Sequence, residues 1–194
     1  MSDPSAVTRQ ARPTLEAICV TSREATTAST AWMMELDDGD LLIVAAACSD
    51  PAFGASLVGR RFPLSDGTAA MVLQSGQPVA LQPGSASVAS DAIATAVLGR
   101  QPASIVCVPC ADDERVVGVL QLVDRADGGP FGFDDLEMLS MLGTVAGASL
   151  VESGGGLLDV PSPEALGRDL ASLADADPTR YAALARVIEV MLGQ

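Results

Sequence analysis

The sequence of 194 residues contains no histidine, no lysine and no asparagine. Without histidine, the chain cannot form a Ser–His or Cys–His nucleophile pair, a histidine-ligated haem or a histidine-containing zinc site. All 11 basic residues are arginine, and alanine, glycine and valine are abundant. This combination indicates the codon bias of a GC-rich bacterial genome, so the choice of arginine over lysine carries little chemical information.

Aromatic residues make up only 3% of the chain, and its formal net charge is −14 with a pI near 4.1. A surface this acidic repels phosphate backbones and anionic lipids, and no basic cluster offsets it. We therefore expect neither nucleic acid nor a membrane as a partner. The N-terminus has no apolar signal region and no run of about 18 apolar residues occurs, which predicts a soluble cytoplasmic protein.

The chain does contain enough apolar residues for a well-filled core, since 48% are hydrophobic and the mean hydropathy is +0.34. Its length fits one domain of ordinary size with appendages. In a cytoplasmic chain, four cysteines predict reduced thiols rather than a disulfide framework. They are Cys19, Cys48, Cys107 and Cys110.

The order of apolar patterns and turn residues predicts an α+β fold. Helical spacing begins at Thr14, and two β-prone runs around the turn 37–40 predict a hairpin. The segment 49–56 breaks the pattern. It is followed by a short extended piece, a helix over 68–75 and a short strand. An alanine-rich helix over 87–98 precedes a second hairpin and a long helix. Hairpins at both ends imply a largely antiparallel sheet with helices packed on it.

A glycine run after the long helix predicts a flexible joint. Beyond it, two amphipathic patterns each have proline at the first helical position. We therefore predict an N-terminal arm over residues 1–13, a main domain over 14–152, a glycine-rich linker over 153–161 and a C-terminal helical extension over 162–194.

Two segments together resemble the signature blocks of the GAF domain family. The segment VGRRFPLSDGTAAMVLQSGQPVAL carries Gly59, Pro63, Gly67, Gly76 and Pro78 in the family's order. The segment SIVCVPCADDERVVGVLQLVDRADGGPFGFDDLEML resembles the family's second block, with a strand proline, a Val-Gly-Val-Leu run and a later aspartate. The resemblance implies a PAS-related fold, with about six antiparallel strands, helices on both faces and often a small-molecule pocket on one of them.

Cys107 and Cys110 form a C-x-x-C, which is also the spacing of redox and zinc sites. Here both lie in one strand, where side chains alternate between faces, so residues three apart point to opposite sides unless Pro109 introduces a bulge. Redox and zinc pairs converge instead on a turn or a helix start. We interpret both cysteines as core residues and expect no metal site.

A second group of residues, between Asp124 and Leu136, occupies the positions where cyclic-nucleotide-binding GAF domains carry a motif of Asn-Lys, then Phe, then Asp-Glu. Asp124 and Leu136 depart from that motif, so cyclic-nucleotide binding does not carry over. Arg125 and Asp135 remain, and we predict that they form a structural lock between the loop and the final helix.

Alternation along VVGVLQLVD sends Leu120 and Leu122 to one face of the sheet and Gln121 to the other. A buried amide needs hydrogen-bond partners, which either nearby backbone or a ligand supplies. We expect the helix over 87–98 to cover the Gln121 face as a mobile lid. The candidate ligand-binding residues are Gln121, Val119, Cys107, Asp91, Thr95 and Thr68.

The long final helix is apolar around so much of its circumference that it needs cover on two sides. The sheet supplies one side. We expect the first helix and its copy in a second subunit to supply the other, which gives a homodimer through terminal helices; the alternative is that the C-terminal tail folds back. Gly143 and Gly147, four residues apart, would let another backbone approach this helix closely.

These features predict a non-catalytic sensor or regulatory domain without a cofactor. It would bind an unidentified small molecule, or signal through dimerisation or a protein partner. Two alternatives stay open. One is a thiol-dependent reductase of the free methionine sulfoxide reductase type, although the surroundings of Cys48 and Cys107 do not match that type's cysteine blocks. The other is a ligand-free dimerisation scaffold.

Overall fold

The computed structural model describes residues 13–64, 67–82, 84, 91–112, 115–155, 163–176, 178 and 181–182. The chain divides into two compact units between Gly155 and Gly156. The first unit contains α1 (Pro13–Thr26), β1 (Ala28–Asp37), β2 (Asp40–Cys48), α2 (Pro51–Leu57), β3 (Arg61–Pro63), α3 (Thr68–Ser75), β4 (Val79–Leu81), α4 (Ala92–Leu98), β5 (Ile105–Asp112), β6 (Arg115–Arg125) and α5 (Phe133–Gly155). The second unit contains α6 (Pro163–Ala176).

The six strands form one antiparallel sheet in the order β3-β2-β1-β6-β5-β4. Helices cover both faces: α1 and α5 pack on one, and α2, α3 and α4 on the other. The predicted α+β fold with a central antiparallel sheet is therefore confirmed. Within the described residues, no helix is both long and apolar enough to cross a membrane.

Two clusters of buried apolar side chains, one on each face of the sheet, form the core. Each large side chain fully removed from water contributes about 1.5–3 kcal/mol to folding. The cluster on the α1/α5 face includes Leu15, Ile18, Met33, Leu120, Leu122, Leu139 and Leu150. The cluster on the α3/α4 face includes Trp32, Met34, Ile43, Leu57, Val72, Ile93, Val119 and Val123. Neighbouring strand residues therefore alternate between the two clusters, as the period of two requires.

The helix α2 is not predicted by the sequence pattern. Its start signals are nevertheless present, because Pro51 occupies the first turn and the Asp50 side chain accepts a hydrogen bond from the backbone N–H of Ala52 at 3.0 Å. The helix has only seven residues, which is too short for apolar periodicity to show.

The boundaries of the main domain differ slightly from the predicted ones. Pro13, predicted to end the arm, begins α1, and α5 continues to Gly155 rather than ending near residue 152. The rest of the arm and residues 156–162 lie outside the described residues, as does most of the chain after 176.

Two glycines let α5 lie directly against the backbone of β5. A Cβ atom added at Gly143 would overlap the carbonyl oxygen of Pro109, and one added at Gly147 would overlap backbone atoms of Ala111. The close approach predicted at these glycines is therefore made by the sheet of the same chain. Any larger side chain would push the helix away from β5, since backbone cannot rotate aside as a side chain can.

We predict that Gly143→Ala and Gly147→Ala each lower the free energy of unfolding by about 1–3 kcal/mol, through overpacking of this contact. The matched control is Gly54→Ala in α2, where an added Cβ would meet its nearest atom at 3.4 Å. That control should stay within about 1 kcal/mol of wild type, because alanine also favours helix. Urea denaturation measures all three variants. Equal effects at the three positions would contradict the close-contact explanation.

Candidate functional site

Gln121 lies in the middle of β6 with no exposed surface. Its neighbours in the ladder are Trp32 in β1 and Cys107 in β5, which are also fully buried. These three side chains, here called the Gln121 row, cross three adjacent strands on the α3/α4 face. Val119 and Val123, two residues to either side in β6, belong to the apolar cluster of that face.

The Gln121 row contains buried polar atoms that have no hydrogen-bond partner among the described residues. They are Oε1 and Nε2 of Gln121 and Nε1 of Trp32. An unpaired buried donor or acceptor costs about 1–3 kcal/mol, and most such groups in proteins are paired. Trp32 is a candidate site residue that the sequence pattern does not single out, although it is the only tryptophan in the chain.

Cys107 contributes a neutral thiol to the row. Burial raises its pKa well above the ordinary value, and the nearby Cys110 and Asp91 raise it further. Cys110, three residues on, belongs to the cluster on the opposite face, where burial raises its pKa to about 12. The ladder shift in β5 falls after this pair, between Cys110 and Ala111, rather than at Pro109. The interpretation of both cysteines as core residues is confirmed.

Asp91 uses its carboxylate to hold two helices. It is the N-cap residue of α4, where Oδ1 accepts a hydrogen bond from the N–H of Ala94 at 2.8 Å. Oδ2 accepts one from the N–H of Thr68 at 3.1 Å, at the start of α3. The residue before Thr68 is Gly67, which has no side chain to cap α3, so Asp91 supplies that cap from elsewhere in the chain. One buried carboxylate thus fixes α3 relative to α4.

The other candidate residues lie on these two helices. Thr68 is buried at the first position of α3, and Thr95 is half-buried in α4. The expected lid over 87–98 is described only from Asp91 onward, where it forms α4; residues 87–90 lie outside the described residues. In the described part, the Asp91 side chain caps the N-terminus of α4.

Arg125 and Asp135 lie together in the turn between β6 and α5. Nη1 of Arg125 donates to Oδ2 of Asp135 at 2.5 Å, and the same oxygen accepts the N–H of Gly132 at 2.8 Å. Nε of Arg125 donates to both carboxylate oxygens of Asp127, at 3.0 and 3.1 Å. The sequence pattern misses Asp127, whose pKa is lowered by the N–H of Gly129 and by Arg125. Asp127 and Asp135 together raise the pKa of Arg125.

Asp124, which departs from the cyclic-nucleotide motif, is also engaged in structure. Its carboxylate accepts hydrogen bonds from Nη2 of Arg100 and from the N–H of Ala103, both at 2.5 Å. Its backbone is left-handed, with φ of 56°, which aspartate tolerates better than most residues. Asp124 therefore ties the end of β6 to the segment that precedes β5.

Two surface grooves lined by described residues lie away from the Gln121 row. One, of about 450 Å³, is lined by β1, β6 and the end of α5, and includes Leu36, Arg115 and Val151. The other, of about 390 Å³, lies where the end of α1 and the start of β1 meet the ends of β2 and β6, and includes Arg23, Thr27 and Ser49. Neither contains a residue of the row. Within the described ranges, no three His, Cys, Asp or Glu side chains converge as metal ligands would.

A family model described as a GAF domain matches residues 9–151, which is most of the chain and contains the whole site. The chain belongs to the GAF domain family. GAF domains are typically sensory or regulatory, and the family resemblance found in the sequence is confirmed. No curated protein matches the sequence.

Solved structures with this GAF fold come from several kinds of protein. The GAF-B domain of DevS from Mycobacterium smegmatis is 17% identical, with a TM-score of 0.55 over 79% of this chain and 97% of that one. The GAF domain of a phosphoenolpyruvate-protein phosphotransferase from Coxiella burnetii is 17% identical, with a TM-score of 0.62 over 79% and 92%. A type II free methionine-R-sulfoxide reductase from Thermoplasma acidophilum is 16% identical, with a TM-score of 0.55 over 75% and 96%. At these identities, the similarity shows the fold alone.

We predict that Arg125→Ala loosens the turn between β6 and α5 without unfolding the GAF domain, because Asp127 and Asp135 lose their shared donor. Hydrogen exchange of the amides in 126–135 should accelerate, while the amides of β1 and β5 keep their protection. Arg23→Ala is the matched control, since among the residues that the structure describes Arg23 pairs only with its exposed neighbour Glu24, at 3.4 Å. Faster exchange throughout the sheet would show that Arg125 has a wider role.

Proposed function

We propose that this GAF domain is a non-catalytic sensor that binds a small molecule at the Gln121 row, between the central sheet and helices α3 and α4. The observation that carries the proposal is the set of buried, unpaired polar atoms on Gln121 and Trp32. A leucine at position 121 would fill the same core without this cost. A ligand that hydrogen-bonds to Gln121 and Trp32 would pair these atoms. Its binding would then recover part of the stability that the domain loses while they are unpaired.

The burial of three of the four thiols, all except the half-buried Cys48, supports a non-catalytic role over the reductase alternative. A cysteine reacts as its thiolate, and burial disfavours the thiolate. Cys19, Cys107 and Cys110 are all fully buried, with pKa values raised chiefly by that burial. Cys107 and Cys110 lie on opposite faces of the sheet, so they do not present two sulfurs to one substrate.

The position of β6 supports transmission from the ligand to a partner. Gln121 faces the α3/α4 side, whereas Leu120 and Leu122, its neighbours in sequence, pack under α1 and α5. A ligand that shifts β6 therefore acts on both helices through direct packing. We propose that the signal leaves through these helices, by dimerisation or by contact with a protein partner.

Exposed apolar side chains favour a second copy of this chain on the α1/α5 side. On α5, Met141 is 62% exposed and Val145, one turn further, is 52% exposed. On α1, which packs against α5, Val20 is 42% exposed. Single exposed apolar residues are common, but apolar residues that recur along one helix face mark an interaction site. A ligand-free dimerisation scaffold is the second candidate function, because this stripe does not depend on a ligand.

Native mass spectrometry of the gently purified protein tests the sensor function. We expect the wild type to retain a small molecule and Gln121→Leu to lose it, since leucine keeps the volume and removes the amide. Gln74→Leu, on the exposed side of α3, is the matched control and should retain the molecule. The proposed function fails if the wild type carries no bound molecule under any growth condition, or if the protein reduces methionine sulfoxide.

The same measurement tests dimerisation. We expect a dimer for the wild type and a monomer for the double variant Met141→Glu/Val145→Glu, because two buried carboxylates without partners would oppose association. The control Ala55→Glu/Ser56→Glu adds the same charge on exposed positions of α2, at the opposite face of the sheet, and should remain a dimer. A monomeric wild type at high protein concentration would exclude the dimer.

A further inference from the structure

A groove of about 450 Å³ opens at the end of the sheet where the β1–β2 hairpin and the β5–β6 hairpin separate. It is here called the hairpin groove. It is lined by Leu36, Arg115, Val116, Val117, Leu150 and Val151, with Glu35 at the point where the strands separate. Its volume lies within the range of about 300–1,000 Å³ that is usual for ligand sites.

The hairpin groove exists because β1 and β6 stop pairing with each other before either strand ends. Their ladder ends at Glu35 and Gly118, although β1 continues to Asp37 and β6 begins before this point, at Arg115. Val117 is an extra residue in β6 relative to β5, and such a bulge turns a strand aside. The edges of β1 and β6 that face the groove therefore carry backbone groups that lie outside the ladder.

Most of the surface of the hairpin groove is apolar. Its exposed or half-buried apolar side chains are Leu36, Val116, Val117 and Val151. The buried Leu150 closes one side, where α5 crosses β6, and an added Cβ at Gly118 would meet its Cδ1 at 3.0 Å. An apolar side chain placed in this groove would remove apolar surface of both molecules from water, which favours binding.

Arg115 places a positive charge at the rim of the groove. Its side chain is exposed and, in the described part of the chain, forms no ion pair, although Asp112 is opposite it in the β5–β6 ladder. Glu35 already takes part in an interaction of its own. The net charge of −14 repels ligands with several negative charges, so a single carboxylate suits Arg115 best.

We propose that the hairpin groove binds the C-terminal end of a peptide from a protein partner, in an extended conformation and with an apolar last residue. The terminal carboxylate meets Arg115, and the last side chain lies against Leu150 and Val151. The peptide backbone pairs with the open edges of β1 and β6, as in other complexes in which a peptide joins a sheet. At about 3.3 Å per residue, these short edges match two or three residues of the peptide.

The open strand edges favour a peptide over a small apolar carboxylate, because an alkyl chain makes no hydrogen bonds to them. The proposal goes beyond the sensor function and does not depend on it, since the hairpin groove contains no residue of the Gln121 row.

Fluorescence anisotropy of N-terminally labelled peptides tests the proposal with the full-length protein. The probes are Gly-Ser-Thr-Val-Leu and Gly-Ser-Thr-Val-Phe, each as the free carboxylate and as the C-terminal amide. We expect at least one carboxylate peptide to saturate the protein and its amide to bind at least about tenfold more weakly, since Arg115 then has no charged partner. In a ¹H–¹⁵N spectrum, this peptide should shift the amide signals of residues 35–37 and 115–117 and leave those of α2 unchanged.

Two substitutions assign the binding to the groove. Arg115→Gln should weaken the carboxylate peptide about tenfold and leave the amide peptide unaffected. Arg23→Gln, in the other groove, is its control and should change neither. Leu36→Ser should weaken both forms of the peptide, because it removes apolar surface. Its control is Val58→Ser at the end of α2, which is 42% exposed against 44% for Leu36 and should bind like wild type.

Four results would contradict the proposal. Equal binding of the carboxylate and amide peptides, or full affinity in Arg115→Gln, would exclude recognition of the carboxylate. Octanoate that shifts the same amide signals as strongly as the peptide would assign the groove to a small apolar carboxylate. Shifts of these signals on raising the protein concentration alone would assign it to a second copy of the chain. If neither peptide binds, the proposal fails, while the sensor function still stands or falls by native mass spectrometry.

Discussion

The alternation of side chains along β6 is the constraint on which the rest of this domain depends. The strand lies between β1 and β5 in the sheet, so its residues meet the core on both faces. Leu120 and Leu122 pack under α1 and α5, whereas Val119, Gln121 and Val123 face α3 and α4. A slip of one residue would exchange these two sets and bury the glutamine amide under α5. The register is therefore specified by the hydrophobic pattern, and the site is placed by the same pattern that builds the core.

Local patterns predict most of the fold, because hairpins, alternation and helix caps are encoded by residues close in sequence. The two hairpins and the helices α1, α3 and α5 follow from such signals, and the opposite orientation of Cys107 and Cys110 follows from the strand period. What the sequence pattern misses depends on contacts between distant residues. Asp91 caps α3 from 23 positions further along the chain, and Trp32 lies beside Gln121 only because β1 pairs with β6.

The unpaired polar atoms of the Gln121 row lower the stability of the fold, and apolar packing around the row offsets this loss. Three unpaired polar atoms at about 1–3 kcal/mol each amount to a sizeable part of the stability of a typical domain. The two apolar clusters, the close contact of α5 with β5 and the shared cap at Asp91 stabilise the structure against that cost. Under the proposed function, these groups would distinguish a ligand that pairs them from apolar molecules that do not.

A ligand at the row changes the output of the domain only if it binds one arrangement of β6 more tightly than another. The close contact of α5 with β5 makes this coupling stiff, because Gly143 and Gly147 leave no side chain between helix and strand to absorb a displacement. On the other face, the Asp91 carboxylate joins the N-terminus of α3 to that of α4. Under the proposed function, a shift of β6 would reach the exposed residues Met141 and Val145 through the packing of α5 on the sheet, and a second chain bound there would respond to the ligand without contacting it.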